Sequence, residues 1–313
     1  MSKLKTSNPV TAIAETDATG EIADIFADIR ETMQLPLITS IWRILVDIED
    51  GLPTAWNATK PLYQTGQPQA ALLKMREQIS LPIPEPFTLS QLACVGISQD
   101  DLPAIRAIIN AYNRSNGLNL IALTALVVKP VGTPANEPVP PSPPPWPQLP
   151  PLLTQTNISA DTWTLLQDIA RTNQRLNDKT RKPAIATIWR HLAHWPGLLA
   201  LAYTSLSSLV QNGQLQRTML QVNEIAQTEG ARIAQLRSET GSIPEDAHNL
   251  ITGYANGVRL HLVQCPACHC TRIRVHNLEQ TRRCLHQFQP HPAMGSRPNR
   301  SYCIHRPSPP HHW

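Results

Sequence analysis

A ten-residue segment occurs twice in this chain, and this repetition constrains the fold more than any other feature. Residues 36–45 read Pro-Leu-Ile-Thr-Ser-Ile-Trp-Arg-Ile-Leu, and residues 183–192 read Pro-Ala-Ile-Ala-Thr-Ile-Trp-Arg-His-Leu. Six of the ten positions are identical, and they include the uncommon triplet Ile-Trp-Arg. Chance rarely produces such a match. The sequence therefore predicts an internal duplication, with a site where the two halves meet.

Apolar residues in both halves recur at helical spacing. They lie three or four positions apart in each half, at Ile22, Ile25, Phe26 and Ile29, and at Leu165, Leu166 and Ile169. Thr19 and Ser159 precede these runs as N-caps, and a further helix is expected after Asn116-Gly117, through Leu126. No segment alternates apolar and polar residues as a strand would. The prediction is an all-α chain, in which two helical repeats form a pseudo-dimer within one polypeptide.

Proline and cysteine content divides the chain into four regions. Proline fixes φ and lacks a backbone donor, so the dense run around Pro143-Pro144-Pro145 predicts a semi-rigid connector. The predicted organisation is a first repeat over 1–130, a Pro-rich linker over 131–156, a second repeat over 157–264 and a tail over 265–313. The tail is rich in Cys, His, Arg and Pro and lacks helical periodicity, so we expect it to be disordered.

Composition argues against several partner classes. The net charge of +4 comes from the tail, which holds seven arginines and one glutamate, so the rest of the chain is slightly acidic and gives no sign of nucleic-acid binding. No apolar stretch reaches the roughly 18 residues of a membrane helix, and the N-terminus has no signal-peptide core. We expect a cytoplasmic protein that binds neither membrane nor nucleic acid, and a homodimer stays open.

Cysteines in the tail allow a zinc hypothesis. Cys265, Cys268, Cys270, Cys284 and His286 include one Cys-x2-Cys hook, although no clean second hook follows. A redox protein would also use this pair. Elsewhere the only cysteine is Cys94. Because the hook stands in a tail without turn or strand signals, we expect no metal and no organic cofactor.

The duplication places polar residues in pairs beside the apolar stripe. Three such pairs are Ser40 with Thr187, Arg43 with Arg190, and Asn116 with Asn256. A pseudo-two-fold arrangement would bring them to a shared junction, where ligands tend to bind. The arginines are candidate partners of a carboxylate, since a guanidinium pairs with it bidentately.

The residues around these pairs resemble a known family, the group I 2-haloacid dehalogenases, which act on both D- and L-2-haloacids. The resemblance covers roughly residues 14–264 apart from the linker. It is carried by Gly20-Glu21 through Asp28-Ile29-Arg30, Leu52-Pro53-x-Ala55-Trp56, Asn113-x-x-Asn116 with Leu123-Thr124-Ala125-Leu126, and Leu192-Ala193-His194-Trp195-Pro196. It implies two helical repeats with the active site between them, a small carboxylic acid and water as reactants, and no cofactor.

The family's mechanism uses an aspartate base that activates water for direct attack on Cα. Carried onto this chain, the base position is Ile188, an asparagine that places the water falls on Asn116, and a pocket tyrosine falls on Tyr254. Two first-repeat aromatics fall on Leu37 and Ser40. The predicted substrate-binding residues are Ser40, Arg43, Thr187, Ile188, Trp189 and Tyr254.

Because the isoleucine at the base position cannot accept a proton, two functions stay open for this chain. The first is a dehalogenase-like hydrolase of carbon–halide bonds in small 2-haloacids, with His191 or His194 as an alternative base. The second is a non-catalytic protein that binds small carboxylic acids in the same pocket.

Overall fold

The described chain is built from helices on both sides of a long segment without helix. The computed structural model describes residues 12–79, 86–172, 184–238 and 242–256, and contains no strand within those ranges. The helices are α1 (Gly20–Met33), α2 (Ser40–Leu45), α3 (Gly51–Gln64), α4 (Gln67–Gln78), α5 (Leu89–Cys94), α6 (Leu102–Val127), α7 (Ala160–Thr172), α8 (Thr187–His191), α9 (Pro196–Gln211), α10 (Gln214–Ile233) and α11 (Glu245–Ala255). The all-α prediction is confirmed. Residues 265–313, with their cysteines, lie outside the described ranges.

The long helix α6 runs through the middle of the molecule. It packs against α3 and α4 of the preceding sequence and against α8, α10 and α11 of the following sequence. Its residues from Ser115 to Ala125 are all buried, as expected of a helix surrounded by others. One apolar core therefore joins helices from both ends of the chain, and it includes the indoles of Trp42, Trp56 and Trp189.

The start of α6 differs from the prediction, which placed a helix after Asn116-Gly117. The helix begins at Leu102 and passes through both residues without a break. The Asn-Gly pair is typical of a turn, but Gly117 has another role here. A Cβ at this position would lie 2.4 Å from a terminal methyl of Leu72, so glycine allows α4 to approach α6 closely.

Helices pair in the same way before and after the Pro-rich segment. The helix α1 packs on α3, and α7 packs on α9. Trp56 of α3 donates its indole hydrogen to Asp28 of α1 at 2.7 Å, which fixes the first pair. The Ser159 hydroxyl accepts from the backbone N–H of Thr162 at 3.2 Å, so the N-cap predicted for α7 is confirmed.

Residues 128–154 contain no helix and run along the body of the protein. Their contacts include a hydrogen bond from the Trp146 indole to the carbonyl of Gln34, at 3.0 Å. Glu137 also pairs with Arg232 of α10, at 2.7 Å, and Arg232 in turn pairs with the buried Glu229. The Pro-rich segment is thus held against helices from both sides of it in the sequence. No helix in the described ranges is long and apolar enough to cross a membrane.

We expect Gly197→Ala to destabilise the protein by about 1–3 kcal/mol, since overpacking has costs of this order. A Cβ on Gly197, at the start of α9, would lie 2.2 Å from the backbone oxygen of Val95, which cannot rotate away. Gly253→Ala in α11 is the matched control, because its Cβ would meet nothing within 4 Å. There alanine should stabilise the helix by up to about 1 kcal/mol. Urea denaturation measures both, and equal effects would contradict the packing described.

Candidate functional site

The position predicted for the catalytic base lies in the core. Ile188 is the second residue of α8 and is 1% exposed, and its counterpart Ile41 in α2 is 3% exposed. Both side chains belong to the apolar core. An isoleucine has no group that accepts a proton, so residue 188 supplies no base.

The neighbours of Ile188 carry polar atoms without protein partners. The Thr187 hydroxyl and the Trp189 indole nitrogen are both buried and form no hydrogen bond with any residue in the described ranges. Buried donors are usually satisfied, and each one that is not costs free energy. These two atoms on α8 are therefore candidates for a bond to a bound ligand.

The corresponding tryptophan of the first copy, Trp42, has a hydrogen-bond partner for its indole nitrogen. The indole hydrogen of Trp42 is donated to the side-chain oxygen of Asn119 at 3.1 Å. The hydroxyl of Tyr63 donates to the same oxygen at 2.9 Å, and the amide nitrogen of Asn119 donates to Thr39 at 2.8 Å. A longer bond of 3.4 Å reaches Ser115. We call Thr39, Trp42, Tyr63, Ser115 and Asn119 the Asn119 hub.

The Asn119 hub was not predicted from the sequence. Asn119 is fully buried, and Thr39 and Ser115 are 2% and 1% exposed. Its sequence signal is weak, a single asparagine in the apolar run Leu118-Asn119-Leu120. An amide in a helix core with no nearby water must be hydrogen bonded by its neighbours, which is the one expectation that could have identified it.

The predicted residues Ser40, Asn116 and Tyr254 lie close to this hub in the sequence or in space. Ser40 follows Thr39 and is half-buried, and Asn116 follows Ser115 and is buried. Burial raises the pKa of the Tyr63 phenol well above its ordinary value, and the nearby Tyr254 of α11 raises it further. Since α11 packs on α2, α3 and α6, the second part of the chain borders the hub.

The two arginines of the repeated triplet bind backbone carbonyls. Arg43 donates from Nε to Ile13 at 2.5 Å and from Nη2 to Ala12 at 2.9 Å. Arg190 donates from the same two nitrogens to the carbonyl of Leu153, at 3.1 Å and 2.9 Å. The Nε–Nη2 edge that could hold a carboxylate bidentately is therefore occupied in both side chains.

Burial lowers the pKa of both guanidinium groups, and Arg43 also lowers that of Arg190 by repulsion. Both arginines act electrostatically on the buried Tyr112 of α6. Arg43 and Arg190 thus lie towards the same tyrosine. Because both donate to backbone carbonyls, their role in the structure is to hold the chain in place.

The two histidines proposed as alternative bases face the Pro-rich segment. His191 has Nε2 at 2.6 Å from the carbonyl of Pro150 and Nδ1 at 3.3 Å from the hydroxyl of Tyr112. A carbonyl only accepts, so Nε2 carries the hydrogen and Nδ1 accepts from the tyrosine. His194 has Nε2 at 2.8 Å from the carbonyl of Pro151. These bonds anchor the segment to α8 and to the turn after it.

Metal-ligand clusters are not found in the described ranges, where no group of three or more His, Cys, Asp or Glu side chains could hold an ion. The predicted zinc ligands of the tail fall beyond those ranges. Cys94 is exposed and free. A surface groove beside α5 is lined by apolar residues such as Leu89, Leu92, Ile97 and Leu102, and none of the predicted site residues lines it.

Two curated relatives are similar to this chain. A configuration-inverting 2-haloacid dehalogenase of Alcaligenes xylosoxydans xylosoxydans is 26% identical over 205 residues, which are 60% of this chain and 65% of that protein. A protein of the same description from Pseudomonas sp. (strain 113) is 28% identical over 109 residues, 34% of this chain and 36% of the relative. The matches thus span just under two thirds and about one third of the relatives' lengths. No protein-family model matches the sequence.

Solved structures show the same fold. A D-2-haloacid dehalogenase in complex with L-LA superposes with a TM-score of 0.63 at 16% identity, over 84% of this chain and 95% of that chain. A mutant of a D-2-haloacid dehalogenase with D-2-CPA gives a TM-score of 0.61 at 17% identity. The chain has the helical fold of these proteins. The finer assignment to the group that acts on both D- and L-acids stays a prediction.

Replacing Asn119 with leucine should destabilise the protein by about 2–5 kcal/mol, because two buried donors, from Trp42 and Tyr63, lose their acceptor. Tyr63→Phe is the control, because it removes one donor and leaves the amide bonded to Trp42. It should cost only about 1 kcal/mol. Urea denaturation gives both values, and a small effect of Asn119→Leu would show that the hub does not hold these helices together.

Unfolding should depend on pH through His191. Burial lowers the pKa of His191 below its ordinary 6.5, and Arg190 and His194 lower it further, while the bond to Pro150 opposes the shift. The unfolded chain therefore takes up the proton first as the pH falls. The free energy of unfolding should decrease below about pH 6.5, and His191→Gln should reduce that slope. Denaturation curves at several pH values test this, and an unchanged slope in the variant would contradict it.

Proposed function

We propose that this chain is a 2-haloacid dehalogenase-like protein whose site for a small 2-haloacid lies between two helical repeats. The shared fold and the two curated relatives support a dehalogenase-like hydrolase. The observation that carries the placement of the site is that Arg43 and Arg190, from the two parts of the chain, both act electrostatically on Tyr112 of α6. Tyr254 of the second part likewise acts on Tyr63 of the Asn119 hub.

Equivalent arginine contacts support the duplication. Arg43 donates to the carbonyl of Ile13, and Arg190 donates to that of Leu153. These two carbonyls are separated by the same number of residues as the first residues of α1 and α7. Short 3₁₀ turns at Glu15–Asp17 and Gln155–Asn157 follow them at the same separation. Each repeat would thus begin with a carbonyl that its own Ile-Trp-Arg arginine holds.

The contacts between the proposed repeats are reciprocal. The helix α6 of the first repeat packs on α8 of the second, and α11 of the second packs on α2 of the first. The helices α4 and α10, which follow α3 and α9, also pack on each other. This pattern favours a pseudo-dimer in which residues 1–130 and 157–264 form the repeats and 131–156 the linker. Because Arg190 binds the carbonyl of Leu153, we propose that the part of the second repeat that matches the first begins near Leu153, a few residues before 157.

In the reaction we propose for this fold, a base takes a proton from water while the water oxygen attacks Cα of the acid. The carbon–halogen bond breaks, the halide leaves with the electron pair, and the 2-hydroxy acid forms with inverted configuration. Asn116, buried on α6, is the proposed positioning residue for the water. The proposed base position is Ile188, and a positioned base contributes about 10²–10⁴ in rate. The natural chain should therefore turn over slowly at most.

A second function, the binding of a small carboxylic acid without catalysis, is favoured by the surroundings of Ile188. The side chain of Ile188 is buried and apolar, and the residues on either side of it, Thr187 and Trp189, each have a buried polar atom without a partner in the described ranges. Such an arrangement keeps groups that could bind a ligand and lacks one that could activate water. The cytoplasmic location and the homodimer remain predictions.

Ile188→Asp should restore halide release from racemic 2-chloropropionate, by about 10²–10⁴ over the natural chain. Because residue 188 is buried, the new carboxyl should have a raised pKa, and the gained activity should increase with pH. Ion chromatography of released chloride measures the rate.

Two matched controls accompany this variant. Ile188→Asn has a similar shape without a base, and Ile41→Asp makes the same change at the equivalent buried position of α2. Neither should release halide. Activity in the natural chain equal to that of Ile188→Asp would refute the proposed base position, and activity in Ile41→Asp would refute the assignment to the second repeat.

Small carboxylic acids should stabilise the natural chain against heat. At a concentration of one hundred times its dissociation constant, a ligand adds about 2.7 kcal/mol to the free energy of unfolding. Thermal unfolding with 2-chloropropionate, 2-bromopropionate and propionate measures this, and sodium chloride at equal ionic strength is the control. If no acid raises the midpoint above the salt control, the proposed pocket does not bind such acids.

A further inference from the structure

The Asn119 hub contains more hydrogen-bond donors than acceptors. The amide oxygen of Asn119 accepts from Trp42 and Tyr63, and its nitrogen donates to Thr39 and Ser115, so both of its ends are fully used. The hydroxyls of Thr39 and Ser115 are 3.2 Å apart, and one of them donates to the other. Either choice leaves one hydroxyl hydrogen without an acceptor among the residues that the structure describes.

This remaining hydrogen is buried. Thr39 and Ser115 are 2% and 1% exposed, so bulk water does not reach them freely. A buried donor without an acceptor costs about 1–3 kcal/mol. The buried hydroxyl of Thr59 avoids this cost by donating to the backbone carbonyl of Ala55 at 2.5 Å. The Thr39–Ser115 pair therefore has a donor to offer to a ligand.

The pair is adjacent in sequence to two residues of the proposed pocket. Thr39 immediately precedes Ser40, and Ser115 immediately precedes Asn116, which are two of the residues expected to meet the acid and the water. Tyr63 connects the pair, through Asn119, with Tyr254 of the second part of the chain. The pair thus lies on the first-repeat side of the proposed junction.

The carboxylate of the acid is the acceptor that fits best. A bond from a neutral hydroxyl to a carboxylate oxygen is charge-assisted and stronger than one to a neutral group. Arg43 and Arg190 were predicted from the sequence as partners of the carboxylate. Their Nε and Nη2 atoms already donate to the backbone carbonyls of Ala12, Ile13 and Leu153. The Thr39–Ser115 pair, in contrast, has a neutral hydroxyl hydrogen that no described group of the protein uses.

We propose that the Thr39–Ser115 hydroxyl pair, oriented by Asn119, donates a hydrogen bond to the carboxylate of the bound acid. This inference rests on the proposed function, because it assumes an acid in the inter-repeat pocket. Thr39 and Ser115 bind the ligand, and Asn119 is a positioning residue that acts through them.

The test compares dissociation constants of 2-chloropropionate and propionate, measured by isothermal titration calorimetry. The double variant Thr39→Val with Ser115→Ala removes the donor with little change of volume. It should bind both acids roughly 10- to 100-fold more weakly than the natural chain, because the loss of a hydrogen bond to a charged group weakens affinity by about this factor. Thr59→Val is the matched control, with a buried hydroxyl that the backbone already uses, and it should bind both acids as the natural chain does.

The two single variants show which hydroxyl donates, and they carry the test if the double variant does not fold. At least one of them must then weaken the binding of both acids. Unchanged binding in every folded variant would overturn the inference and leave the proposed function intact. A loss confined to 2-chloropropionate would identify the halogen as the acceptor and refute the carboxylate. If the natural chain binds neither acid, the proposed function fails together with the inference.

Discussion

Hydrogen bonds from two buried guanidinium groups to backbone carbonyls hold the two short helices that carry the repeated Ile-Trp-Arg triplet. Arg43 and Arg190 are 2% and 4% exposed, and a charge at that depth is tolerated only when its donors are satisfied. Their carbonyl partners lie in the segments that lead into α1 and α7. These bonds attach the short helices α2 and α8 to the body of the protein. The polar residues that border α6 are positioned as a result.

The two parts of the chain differ in whether their buried polar atoms are hydrogen bonded. Trp42 donates to Asn119, while Trp189, the matching residue of the second copy, has a buried indole nitrogen with no partner. Thr187 has an unpartnered hydroxyl beside it. The indole of the first copy is thus used within the protein, whereas the indole and the neighbouring hydroxyl of the second copy have no partner among the described residues. This asymmetry is what we would expect of a junction that still binds a small polar molecule.

The helical fold could be predicted from the spacing of apolar residues, because that spacing reflects which face of a helix is buried. The start of α6 could not, since Asn116-Gly117 is typical of a turn and only the approach of α4 explains a glycine within a helix. The arginines were predicted as carboxylate partners from their charge, but their partners depend on the path of the backbone. Asn119 was missed because one amide in an apolar run gives no pattern. Spacing reveals burial, whereas hydrogen-bond partners require three-dimensional structure.

The most direct test of the inter-repeat site is a crystal structure of the natural chain soaked with 2-chloropropionate. We expect electron density for the acid at the junction of α2 and α6 with α8 and α11, with a carboxylate oxygen within hydrogen-bonding distance of Thr39 or Ser115. Density for the acid only in the surface groove beside α5, or none at a concentration that stabilises the protein, would contradict it.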